Sequence, residues 1–348
     1  MLNTINIIIL LASLLAIVGI ANLFCNSLEH LGEKLGISDG VTGSIFAAIA
    51  TALPETMIPI MALLNSASQA DRNQQANDVG VGAILGAPLM LSTISLCIMA
   101  AFTLKKRGLN GKITPDFNTI KRDLKFFLIA YGIAFIALFM QGFSFTPLLN
   151  ITISSLLGLI YLFYILLTVK ESKKNTKDDQ YTTATSDLMI SKIFASKSNN
   201  LGLIIAQLCI ALLLLIYFAH LFINSLTFIA ESYHVSAFIL SLFVIPIATE
   251  LPEKINSIIW LAKGRDTLAL GNITGAMMFQ GSLLPILGIL FSNSWHFYNK
   301  LALICMLITL ISSLYIYIRV MQRDLRIYHF LISGVFYIAY IVACVYML

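Results

Sequence analysis

Residues Ala248-Thr249-Glu250-Leu251-Pro252-Glu253 repeat an earlier stretch, Ala50-Thr51-Ala52-Leu53-Pro54-Glu55. The two copies begin 198 residues apart. Each is followed, one apolar segment later, by a glycine-rich stretch. These are Gly82-Ala83-Ile84-Leu85-Gly86-Ala87 and Gly271-Asn272-Ile273-Thr274-Gly275-Ala276. Two motifs recurring in the same order mark the repeat of a whole unit.

The surroundings of both copies are apolar. The 348 residues are 58% hydrophobic and only 11% charged, with a mean hydropathy of +0.88. A soluble domain carries about 25% charged residues, so disordered, collagen-like, disulfide-scaffold and nucleic-acid-binding classes are excluded. A membrane helix needs about 20 mostly apolar residues. Stretches free of Asp, Glu, Lys and Arg place ten spans, at 5–26, 41–66, 79–104, 124–142, 146–169, 201–230, 234–262, 267–291, 300–319 and 326–347. The first segment lacks a positive leader region and a small-residue cleavage site, so it reads as a span.

With the N-terminus outside, 19 of the 22 Lys and Arg residues fall in inward loops. Only Arg72 and Lys300 fall outward, and Lys254 lies within a span. The positive-inside rule then puts both termini outside. The net charge of +5 is a topological signal and implies no acidic partner. The expected domains are a first five-helix repeat over 1–169, a cytoplasmic linker over 170–200 and a second repeat over 201–348. Because five is odd, the second copy enters the membrane with opposite polarity. The expected fold is an all-α membrane protein with ten transmembrane helices in two inverted-topology repeats, a plan of secondary transporters whose sites lie at the midplane.

Glu55 and Glu253 occupy equivalent places within spans, where a carboxylate is costly and marks function. Pro54 and Pro252 remove a backbone donor and clash with the preceding turn. Helices 2 and 7 are therefore expected to be broken, with carbonyls released near Ala50, Thr51, Ala248 and Thr249, and Pro246 extending the second break. Two carboxylates with carbonyl and hydroxyl oxygens make a hard site that suits Ca²⁺. One Ca²⁺, or two monovalent ions or protons, balances its charge. Glu250 is either a further ligand or the i, i+4 ion-pair partner of Lys254. The glycines four apart allow close helix approach, bringing polar neighbours Asn272, Thr274 and Gln280 within reach of the cavity. The cysteines Cys25, Cys97, Cys209, Cys305 and Cys344 read as small hydrophobes. Tyr161, Tyr164, Tyr233, Trp260 and Trp295 read as interface anchors. No nucleophile–base or metal–histidine spacing is present, so no enzyme and no cofactor are expected.

At these residues the chain resembles the sodium/calcium exchanger superfamily of cation antiporters, as a divergent prokaryotic-type member. The resemblance implies Glu55 and Glu253 as central Ca²⁺ ligands, with Thr51 and Thr249 contributing oxygens. The family's serine after the threonine is here Ala52 and Glu250. Its Gly-Ser-Asn motif has Ala87 and Ala276 for serine, and Pro88 and Met277 for asparagine. Where the family places Asn or Asp, this chain has Leu91 and Gln280. Several of those polar groups serve Na⁺ in the family, so H⁺ stands beside Na⁺ as counter-ion. The expected function is Ca²⁺ antiport in a prokaryotic plasma membrane, with the bilayer, Ca²⁺ and a monovalent cation or proton as partners. No nucleic acid or obligatory protein partner is expected. A non-transporting sensor or assembly protein on the same scaffold is the alternative.

Overall fold

The computed structural model describes residues 2–34, 56–64, 73–140, 147–175, 188, 201–262, 264, 266–292 and 300–347. Among these the chain is helical throughout, apart from one short strand pair. In chain order the elements are α1 (Leu2–Lys34), α2 (56–64), α3 (Asn73–Met90), a π-helical turn (Leu91–Ser95) and α4 (Leu96–Arg107). Then come β1 (Lys112–Ile113), α5 (Phe117–Met140), α6 (Pro147–Asn175), α7 (Leu201–Ser232) and α8 (Ala237–Ala262). The last are α9 (Asp266–Phe291), α10 (Lys300–Met321), β2 (Leu325–Arg326) and α11 (Ile327–Met347). Seven helical rods among the described residues are long and apolar enough to cross a membrane, with α3 and α4 counted as one rod, Gln74–Arg107. The apolar stretches Ile5–Ile20 of α1 and Ala237–Ile247 of α8 are shorter.

Helix lies at the place of each expected span, and 56–64 falls inside the second. Several ends differ. α1 continues to Lys34, α6 continues to Asn175 into the stretch expected as linker, and α3 and α5 begin earlier than expected, at Asn73 and Phe117. A search for charge-free runs finds where apolar sequence stops. A helix goes on until its backbone bonding is interrupted.

α8 is the larger correction. The break expected in the seventh span is not there, and residues 237–262 form one helix across Pro246 and Pro252. Pro246 leaves the Leu242 carbonyl without its usual donor, and α3 packs against that carbonyl. A Cβ built on Gly86 would collide with Leu242 O and lie 2.9 Å from Pro246 Cγ. One on Gly82 would collide with Ser241 Oγ and lie 2.5 Å from Phe238 O. Prolines persist in membrane helices where neighbours accommodate the freed groups. The corresponding break at Pro54 lies outside the described residues.

Two apolar cores form. The smaller joins α1, α2 and α7 to parts of α3 and α8, through Ile17, Phe24, Ile58, Ala211 and Phe222. The larger joins the helices from α3 onward, apart from α7, and takes in Leu63 of α2. The rod α3–α4 and helix α9 are the most enclosed, with 83% and 72% of their apolar windows buried, against 17% for α6 and 22% for α7. The centre of the molecule is thus built from the two glycine-rich helices. β1 pairs antiparallel with β2, Lys112 opposite Arg326 and Ile113 opposite Leu325.

Candidate functional site

α8 and α9 run antiparallel around a tight reversal in which Gly264 takes a left-handed φ of 82°. Side-chain hydrogen bonds join them. Asn272 Nδ2 donates to Ser257 Oγ at 3.0 Å, and Gln280 Nε2 donates to Glu250 Oε1 at 3.0 Å. Glu250, Gln280 and Ser257 are fully buried. Seven and eight residues separate the bonds on the two helices, about two turns, so both lie along one contact seam. Beside them, Thr249 Oγ1 donates to Ile245 O at 2.9 Å. That bond uses the hydroxyl proton and leaves the oxygen able to accept or to ligate. The seam thus collects hydroxyl, carboxylate and amide groups in an apolar bundle, where polar groups persist only when partnered.

The ends of this hairpin are clamped. Arg107, in the last turn of α4, makes a two-pronged ion pair with Asp266, with Nη2 to Oδ1 at 2.5 Å and Nη1 to Oδ2 at 3.0 Å. The same guanidinium donates to Leu261 O at 2.6 Å, and Lys106 Nζ donates to Ala262 O at 2.5 Å. Cations on the closing carbonyls of α8 and an acid in the first turn of α9 both complement helix ends. Thr114 N adds a donor to Asp266 Oδ2 at 2.8 Å. In the turn before α11, the hydrogen bond from Arg326 holds the Asp324 carboxyl below its usual range. The same pairing raises Arg326.

Another buried acid lies on the far side of α9. Asp123 of α5 is 3% exposed. Its Oδ1 accepts from Tyr164 Oη of α6 at 3.1 Å and from Arg122 Nη2 at 3.2 Å. Its Oδ2 accepts from Thr274 Oγ1 of α9 at 2.9 Å. Tyr164 is therefore an internal ligand of a carboxylate and no interface anchor.

A family model described as sodium/calcium exchanger protein matches residues 5–170 and 203–348. The chain belongs to the sodium/calcium exchanger family. CaxA of Alkalimonas amylolytica is 27% identical over 282 residues, covering 81% of this chain and 79% of its own. Among solved structures, the H⁺/Ca²⁺ exchanger CAX superposes with a TM-score of 0.73 at 17% identity, over 98% of this chain and 82% of its own. The sodium-calcium exchanger NCX_Mj, soaked with Na⁺ and Sr²⁺, gives 0.56 at 18% identity, over 98% of this chain and 99% of its own. These likenesses fix the architecture as that of an exchanger-family membrane protein.

Of the residues singled out in the sequence, Glu250, Asn272 and Gln280 meet along one seam, and Thr249 precedes Glu250 on α8 with its hydroxyl bonded within that helix. Ala50, Thr51 and Glu55 lie outside the described residues. Ala248 and Glu253 belong to α8 by backbone, and their side chains, like that of Lys254, lie outside the described residues. Gln280 is a partner of Glu250, which neither sequence reading of Glu250 named. Two of the four places where the second half departs from the family pattern, 250 and 280, are thus one hydrogen-bonded pair.

Two residues went unread. Ser257 follows Glu250 by seven positions and so shares its helical face. Asp123 falls just before the expected span 124–142, because the charge-free run begins after Lys125. Its spacing to Phe127, Ala130 and Ala134, all buried, is the helical signal that places it inside.

Proposed function

We propose that this chain is a secondary active antiporter exchanging Ca²⁺ for Na⁺ or H⁺ by alternating access. The observation that carries the reading is the family match over both halves, with a Leu-Pro-Glu motif in each. Glu55 and Glu253 bind Ca²⁺ facing one side of the membrane, with oxygens of Thr51, Thr249 and the carbonyls of Ala50 and Ala248 completing a hard-cation shell. After the site opens to the other side, Na⁺ or H⁺ takes the carboxylates for the return. Glu250, Gln280 and Asn272 line the same site.

Two further observations support the inverted repeat of five and five helices. The 198-residue offset extends into the first span of each half, where Leu23-Phe24 and Asn26-Ser27-Leu28 match Leu221-Phe222 and Asn224-Ser225-Leu226. Helix pairings also recur with the halves exchanged. The first helices α1 and α7 pack on each other, and α9 packs on α5 and α6 as the rod α3–α4 packs on α10 and α11. On this reading, 1–169 and 201–348 are the repeats and 170–200 the linker. The basic loops face the cytoplasm, and both termini lie outside a prokaryotic plasma membrane.

The test is uptake of labelled Ca²⁺ into proteoliposomes under an imposed Na⁺ gradient, an imposed pH gradient, or neither. The two solved relatives are named for exchange of Ca²⁺ with H⁺ and with sodium, so both gradients are run. Gradient-driven uptake that disappears in Glu55→Gln and in Glu253→Gln is expected. Uptake at the wild-type rate in both variants overturns the two-glutamate site. No uptake by the wild type, with no Ca²⁺ binding by calorimetry, assigns the chain to the non-transporting alternative.

A further inference from the structure

We propose that Asp123 is a positioning residue for the cation site, setting the rotation of α9 through its hydrogen bond to Thr274. The inference rests on the antiporter reading above. At 100° per residue, Asn272 and Gln280 stand about 80° apart on the helical wheel, and Thr274 stands about 160° from their midpoint. Asn272 and Gln280 are bonded to α8, so Thr274 emerges on the opposite side, where Asp123 receives it at 2.9 Å. α9 is therefore pinned on both sides. Turning it to loosen one set of bonds strains the other.

The anchor is itself well held. Asp123 accepts from side chains of three helices, Arg122 of its own α5, Tyr164 of α6 and Thr274 of α9. A carboxylate this deeply buried is expensive unless surrounded by donors, and an apolar side chain of similar size costs less. A bare packing role would therefore be served better by leucine. What the carboxylate adds is direction. Its two oxygens take donors from different helices at fixed angles, tying α9 to α5 and α6 in one rotational setting. That setting points Gln280 at Glu250.

The distinguishing variant is Thr274→Val, which keeps shape and removes the hydroxyl. Loss of one hydrogen bond to a charged group predicts a rise of about tenfold in the half-saturating Ca²⁺ concentration. The maximal exchange rate per folded protein stays within about twofold. Thr274→Ser, which restores the hydroxyl, returns half-saturation to the wild-type value. A structural defect alone would lower the amount of folded transporter and leave half-saturation unmoved. Asp123→Asn retains one acceptor oxygen and is expected to fall between the two. If folded Thr274→Val shows wild-type half-saturation, or Thr274→Ser behaves like Thr274→Val, the positioning role is wrong. In that outcome wild-type flux persists, which separates it from failure of the antiporter reading, where wild-type flux is absent and this inference falls with it.

Discussion

The two glycine-rich helices grip α8 by opposite means. α3 approaches through Gly82 and Gly86, where any side chain would strike the backbone of α8 at Phe238 or Leu242. α9 approaches through Asn272 and Gln280, whose amides reach Ser257 and Glu250 at 3.0 Å. The motifs that announce these helices are near-copies, Gly-Ala-Ile-Leu-Gly-Ala and Gly-Asn-Ile-Thr-Gly-Ala. Ala83 against Asn272 within the motif, and Leu91 against Gln280 beyond it, decide the difference in contact. A repeated motif marks where a helix sits, and the polar residues in and after it decide how it holds its neighbour. Steric contact tolerates no added atom. Polar contact tolerates any replacement that keeps the bond.

The largest effect is expected at the steric contact. Gly86→Leu forces α3 from the Leu242 carbonyl and should abolish the monodisperse species in size-exclusion chromatography, since overpacking against backbone has no soft side chain to yield. A folded Gly86→Leu protein would show that the approach is not required. At the polar contact, Gln280→Leu removes a donor from the buried Glu250 carboxylate. It should lower the melting temperature and Ca²⁺ affinity together. The exchanged pair Glu250→Gln with Gln280→Glu should recover part of the loss, with a coupling of about 1 kcal/mol in a double-mutant cycle. Strict additivity would sever the pair. Asn272→Ala should cost less, about 1 kcal/mol, seen as a drop of a few degrees in melting temperature.

The smallest effect is expected far from both contacts, at Asp324. Its carboxyl is held below the ordinary range by the hydrogen bond from Arg326. The stabilisation it adds is therefore present above the ordinary carboxylate pKa and is lost as pH falls through the lowered one. Because the pair is exposed, Asp324→Asn should leave the melting temperature unchanged between about pH 5 and pH 8, where the group stays ionised. A pH-dependent difference in that window would contradict the assignment.

The helix positions were readable because membrane spans announce themselves by length and missing charge. Glu250 and Gln280 were readable as candidates because a polar group in such a span needs a reason. Their pairing was not readable. Lys254 stands one turn from Glu250 in the sequence, whereas Gln280 stands 30 residues away and meets it only after the chain reverses. The proline break in the seventh span was over-read for a related reason. Pro246 dictates a missing donor, but whether the helix parts there depends on what packs against the freed carbonyl, and Gly86 belongs to another helix. Asp123 shows the converse. In the sequence it stands among Lys121, Arg122 and Lys125, whereas in the fold donors from α6 and α9 surround it.

By itself the sequence determined that this is a membrane protein of apolar helices, where those helices fall, and that a Leu-Pro-Glu motif occurs twice, 198 residues apart. These follow from composition, charge and repetition, which are properties of the chain taken one residue after another. Tertiary structure alone decided which buried polar groups bond to which, that α8 stays helical through its prolines, and that α9 is held from both sides. Those depend on side chains 15 to 159 positions apart meeting in space. In an apolar bundle, a polar group's energy is set by the partner that reaches it.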